Sequence, residues 1–178
     1  MKLCLIIFAL FVIAPLPAFA QNNAGGCDSA EGQKLKFLTG EWRVKSRFRL
    51  SKEPEQWEET QARSTITSRF EGCLLTEQFE GSRQGHPFKA SGMYAYDRNS
   101  QKYQWVGVDS EHGVLTLYAG GFNESALVLD SKVEISGRTV LLRRVWTPRA
   151  AGGFEVRSQR STDAGRTWDT TWQMIYQR

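Results

Sequence analysis

Residues 40–50 read Gly-Glu-Trp-Arg-Val-Lys-Ser-Arg-Phe-Arg-Leu. Arg43, Lys45, Arg47 and Arg49 recur at every second position, with Trp42, Val44, Phe48 and Leu50 on the other register. A strand sends successive side chains to opposite faces, so this alternation sorts cations to one side and apolar groups to the other. Just upstream the spacing differs. Asp28-Ser29-Ala30-Glu31 offers a capping-box-like start to a short helix, Leu35, Phe37 and Leu38 give it an apolar face, and Gly40 supplies a stop. The period changes from about 3.6 to 2 at Gly40 and does not change back.

Working outward, the alternation predicts strands near 41–50, 57–70, 73–81, 87–97, 101–109, 112–119, 125–134, 138–147, 153–161 and 167–177. Turn chemistry separates them: Lys52-Glu53-Pro54, Glu71-Gly72, Gln84-Gly85, Asp97-Arg98-Asn99, Gly120-Gly121, Gly137 and Ala151-Gly152-Gly153. About ten short strands with no helix between them describe an all-β, up-and-down antiparallel meander. Closing it into a single barrel removes the exposed edges, which predicts a lipocalin-like β-barrel with a short N-terminal helix over residues 28–178. An immunoglobulin-like sandwich has fewer strands and carries its Cys-Trp-Cys framework inside the sheets, whereas Cys27 precedes the first strand here.

The chain has 178 residues, enough for one domain with a sizeable core. Six Trp, five Tyr, ten Phe and 16 Gly suit strands and turns, and argue against a helical bundle, a coiled coil, a disordered tail and a multi-span membrane protein. The net charge of +4 comes without a concentrated basic patch, so nucleic acid is not an expected partner.

Residues 1–20 are hydrophobic except for Lys2, Pro15 and Pro17, and end on Ala18-Phe19-Ala20. One cation, a short apolar run and an A-x-A site describe a secretory signal peptide, with the mature chain starting near Gln21 and residues 21–27 forming a flexible lead. The run is shorter than the ~20 apolar residues of a membrane span, so no integral span is expected after cleavage. A periplasmic or secreted protein follows. Cys4 leaves with the signal, and the remaining pair, Cys27 and Cys73, is expected to form a disulfide contributing about 4 kcal/mol. Two buried thiols are the alternative. With only His86 and His112 besides, a zinc site is not expected.

Ser161-Thr162-Asp163-Ala164-Gly165-Arg166-Thr167-Trp168 fits the Asp-box hairpin, S-x-D-x-G-x-T-W. Such boxes recur in sialidase-like propellers, but one copy in a chain this short reads as a well-made turn. Kinship is suggested by a series of short motifs. Phe37-Leu38-Thr39-Gly40-Glu41-Trp42 and Glu71-Gly72-Cys73-Leu74-Leu75-Thr76-Glu77 are followed by Tyr96-Asp97 and Trp105-Val106-Gly107-Val108-Asp109-Ser110. Val114-Leu115-Thr116-Leu117, Arg144-Val145-Trp146-Thr147-Pro148 and the Asp box with its closing Tyr176 complete the series. In order and spacing these resemble a family of secreted bacterial proteins with lipocalin-like (calycin-type) barrels. The resemblance implies a fold and no established activity. Heme-binding relatives of this barrel class use a histidine near the C-terminus, and none follows His112, which argues against heme; no cofactor is expected.

Arg143 and Arg144 are adjacent in a strand pattern and must face opposite ways. Arg144 shares its side with Val140, Leu142 and Trp146, and Glu77 shares its own with Cys73, Leu75 and Phe79. A charge on an apolar face costs several kcal/mol unless paired, which makes Glu77 and Arg144 candidate partners. Tyr103, Trp105 and Asp109 form a second same-face set. Two readings follow: an internal ion pair that fixes register, or a cavity with aromatic walls for a small, partly apolar ligand. The candidate ligand-binding residues are Trp42, Glu77, Tyr103, Trp105, Asp109, Arg144 and Trp146. Glu77 and Asp109 form a candidate acid/base pair, but without a G-x-S-x-G elbow no catalytic residue is assigned. The expectation is an exported barrel that binds a small molecule in its lumen. A barrel acting through its outer surface or loops, and an enzyme using lumen carboxylates, are the alternatives.

Overall fold

A computed structural model describes residues 29–178. The expected signal peptide, the lead over 21–27 and Cys27 lie outside the described residues. Ser29 caps a single turn, α1 (Ala30–Gln33), its hydroxyl accepting the Gly32 amide at 3.1 Å. The chain tightens into a 3-10 turn, Lys34–Leu38, that buries Leu35 and Leu38. Ten strands follow: β1 (Gly40–Lys52), β2 (Glu55–Arg69), β3 (Leu74–Arg83), β4 (His86–Asp97), β5 (Lys102–Asp109), β6 (Thr116–Asn123), β7 (Ala126–Ile135), β8 (Arg138–Pro148), β9 (Phe154–Ser161) and β10 (Asp169–Gln177). Each pairs antiparallel with its sequence neighbour, and β1 pairs with β10 to close the barrel, Val44 standing opposite Tyr176. Among the described residues no helix is long and apolar enough to cross a membrane.

Except in β6, each strand boundary falls within two residues of its expected place. The sixth strand is a correction. It was expected near 112–119 with a break at Gly120-Gly121, yet Gly120 and Gly121 lie inside β6. Gly120 is there for close approach. A Cβ on it would stand 2.2 Å from the Val128 carbonyl oxygen of β7. The real break comes later, at Glu124 and Ser125, where Glu124 takes φ 52°. Residues 110–115 form the β5–β6 connection instead, its first turn capped by Asp109.

The cationic row of β1 faces outward, and two of its four members meet carboxylates there. Arg47 pairs with Glu59 at 3.0 Å and lies over Trp57, while Arg49 approaches Asp169 at 3.9 Å. The inward set, Trp42, Val44 and Ser46, is buried. Stacked and edge-on rings fill one end of the barrel: Phe154 stacks on Tyr176 at 4.3 Å and meets Trp42 at 5.1 Å and Phe37 at 5.8 Å. The N-terminal turns cap this end. Trp42 Nε1 donates to the Leu38 carbonyl at 2.9 Å, and the Tyr103 hydroxyl donates to the Glu31 carboxylate. A second aromatic layer, Phe79, Phe88 and Trp172, stands toward the other end, with Trp172 Nε1 donating to the Ser46 hydroxyl at 2.7 Å.

The Asp-box segment forms its turn by backbone chemistry. Asp163 accepts from the Thr167 hydroxyl at 2.7 Å, the Thr167 amide at 2.9 Å and the Ser161 hydroxyl at 2.7 Å, which holds its carboxyl well below the usual aspartate range. Gly165 takes φ 87° beneath it. Trp168 then lies under the Arg143 guanidinium of β8, 4.0 Å from its ring centre, so the hairpin folds over the outer wall.

Candidate interior site

Between the two aromatic layers the barrel wall carries polar groups. Glu77, from the inner face of β3, is 6% exposed. Three hydroxyls converge on its carboxylate: Ser64 of β2 at 2.8 Å, Tyr94 of β4 at 2.5 Å and Tyr176 of β10 at 2.9 Å. Burial, and then the Glu77 charge, push both phenols well above the usual tyrosine range. Each hydroxyl supplies a donor to a group that an apolar interior would otherwise reject.

Across the interior, Arg144 projects from β8. Its guanidinium carbon lies 4.0 Å from the centre of the Trp105 ring and 5.6 Å from that of Trp146. Its Nε is buried with no acceptor, and so is Nε1 of Trp105. The expected Glu77–Arg144 ion pair is therefore a correction. Strand parity places both groups inside but says nothing of their separation around the barrel, and hydroxyls satisfy the carboxylate instead. Adjacent Arg143, facing out, makes the two-pronged contact with Asp130 at 2.7 and 3.0 Å.

Two glycines explain how Trp105 is held. Gly92 and Gly107 stand opposite one another on β4 and β5, and the indole lies across both. A Cβ on Gly92 would come within 2.7 Å of Nε1, and one on Gly107 within 2.1 Å of the ring. The missing side chains let the indole lie against the wall, which turns its other face toward Arg144. Tyr118, opposite Trp105 on β6, completes the aromatic wall at 5.3 Å between ring centres.

The structure brings Glu77, Trp105, Arg144 and Trp146 to the middle of the interior, Trp146 being fully buried against Tyr94 at 5.8 Å. Trp42 and Tyr103 belong to the capped end, where burial and the Glu31 carboxylate raise the Tyr103 phenol above its ordinary range. Asp109 stands apart from the proposed acid/base pairing with Glu77. It accepts the amides of Glu111 at 2.9 Å and His112 at 2.8 Å, and meets the His112 ring at 2.9 Å. Burial alone would raise its pKa, but these contacts outweigh it and hold the carboxyl below the usual range. Ser64, Tyr94, Tyr118, Gly92 and Gly107 were not singled out from sequence. The legible signal was glycine inside two strands, which marks close approach.

A family described as "Protein of unknown function (DUF1579)" matches residues 28–178. The chain belongs to this family. No curated protein matches it. Among solved structures it is similar to an S-type phycobiliprotein lyase, CPES, from Guillardia theta. That match has a TM-score of 0.55 at 14% identity and covers 85% of this chain and 94% of the lyase. At that identity the likeness is one of fold, a lipocalin-like antiparallel barrel.

The glycine bed under Trp105 makes a quantitative expectation. Gly107→Ala forces the indole off the wall and destabilises the chain by about 1–3 kcal/mol in denaturant unfolding, with altered tryptophan emission. Gly121→Ala, where nothing lies within 4 Å of the added methyl, serves as the control. Equal effects from the two would contradict the packing described.

Proposed function

We propose that this chain is an exported barrel that binds a small, partly apolar molecule in its interior. The observation that carries the reading is Arg144. Buried polar groups in folded proteins nearly always have partners, yet the buried Nε of this half-buried arginine has no acceptor, and no carboxylate among the described residues lies within ion-pair distance of its guanidinium. It lies on an aromatic wall of Trp105, Tyr118 and Trp146, the combination of contact area and a few placed polar groups that small-molecule sites use. Similarity to the lyase supports a barrel scaffold and adds nothing about the ligand. The enzyme alternative is weakened, because Glu77 is enclosed by three hydroxyls and Asp109 is committed to its turn.

A second reading, action through the outer surface, rests on one feature. Met93 of β4, Val106 of β5 and Leu117 of β6 stand in register on the outer face, with Leu115 and Val114 exposed beside them. This is a row of apolar side chains where a barrel of this size needs none.

Titration with the neutral dye Nile red separates the two. Interior binding predicts blue-shifted emission that weakens about tenfold in affinity in Trp105→Leu, with circular dichroism unchanged. Unshifted emission with the native chain, or equal binding by the variant, contradicts it. Export and the Cys27–Cys73 disulfide belong to the same proposal and are read by intact mass. The exported chain is expected to begin at Gln21 and to be two hydrogens lighter than its reduced form. Retention of residues 1–20, or two thiols that alkylate without reduction, overturns that part.

A further inference from the structure

Resting on that interior reading, we propose that the ligand is a monocarboxylate: a small amphiphile whose carboxylate meets the Arg144 guanidinium and whose apolar part lies along Trp105 and the Phe79–Phe88–Trp172 layer. A guanidinium keeps its charge at all ordinary pH. Inside a barrel that charge calls for a counter-charge, and the chain supplies none at contact distance. Arg143 is paired with Asp130, Arg83 with Glu111 and Arg157 with Glu155, all on or near the surface, where pairing is worth least. Arg144, in the interior, has no carboxylate within 4 Å among the described residues. Glu77, the opposite charge inside, is turned toward Ser64, Tyr94 and Tyr176.

The geometry narrows the class. Stacking on Trp105 occupies the face of the guanidinium and leaves its edge donors for an acceptor in the guanidinium plane, the arrangement that suits a planar carboxylate. Tyr118, its ring 5.3 Å from that of Trp105, makes no hydrogen bond among the described residues, so its hydroxyl offers a further donor. One guanidinium meets one negative charge. With Glu77 already in the same interior, a phosphate carrying close to two charges fits less well. On β9 the inner neighbour of Arg144 is small, Ser158; on β7 it is the buried Leu129, with Ser131 one step along facing Leu142. Ser158, Ser131, Leu142 and Arg144 are half-buried rather than sealed, which leaves the guanidinium reachable.

Octanoate, octanol and octyl phosphate, competed against Nile red at pH 7, test this. Octanoate is expected to displace the dye at about tenfold lower concentration than octanol, with octyl phosphate no better than octanoate. Arg144→Met, which keeps the length of the side chain, is expected to erase the difference, so that octanoate and octanol displace the dye at equal concentrations. Arg144→Lys is expected to keep part of the preference. Equal binding of acid and alcohol by the native chain overturns the inference and leaves the interior reading standing, as does a preference that survives Arg144→Met or favours the phosphate. Binding of the dye and of all three competitors at undetectable levels overturns both.

Discussion

One carboxylate organises this barrel from within. Glu77 of β3 accepts hydroxyls from β2, β4 and β10, and the last of these comes from Tyr176, ninety-nine positions away in sequence. Tyr176 reaches it only because β10 lies beside β1, so the contact and the closure of the sheet require each other. An unpartnered carboxylate at this depth would cost several kcal/mol, and each lost hydroxyl would leave another buried group unsatisfied. The cluster therefore favours one registry of four strands over the slipped alternatives that an alternating pattern alone would also tolerate.

The interior around it is divided. Toward one end, Trp42, Phe154 and Tyr176 pack ring on ring beneath the N-terminal turns. In the middle, Gly92 and Gly107 give up side chains so that Trp105 can lie against the wall, and the indole in turn supports Arg144. Glu77 is saturated and Arg144 is not. That asymmetry separates a structural polar cluster from a candidate binding group inside one barrel, and it is the reason function is read at Arg144 rather than at the carboxylate.

Much of the architecture was legible in the sequence, because strand alternation and turn chemistry act locally. The inward row of Trp42, Val44 and Ser46 and the outward cations of β1 follow from residue spacing alone. The same local reasoning failed where distance around the barrel mattered. Parity put Glu77 and Arg144 on the inside but carried no information on which inner neighbours each would meet. It also put Asp109 with Trp105, yet at a strand end turn amides compete for a carboxylate and win. Gly120 was read as a turn because glycine serves both positive φ and close approach, and only the β6–β7 contact tells the two apart.

The ionisation of Tyr94 and Tyr176 tests the Glu77 cluster most directly. Folding raises both phenols, so their contribution to stability is complete below the unfolded tyrosine value, about pH 10, and drains away as pH climbs toward the folded values. Carbon-13 labelling at tyrosine Cζ, followed by NMR on increasing pH, reads each ring separately. Both resonances are expected to stay at the protonated position until alkali unfolds the chain; reversible ionisation of both near pH 10 in the folded protein would contradict the account.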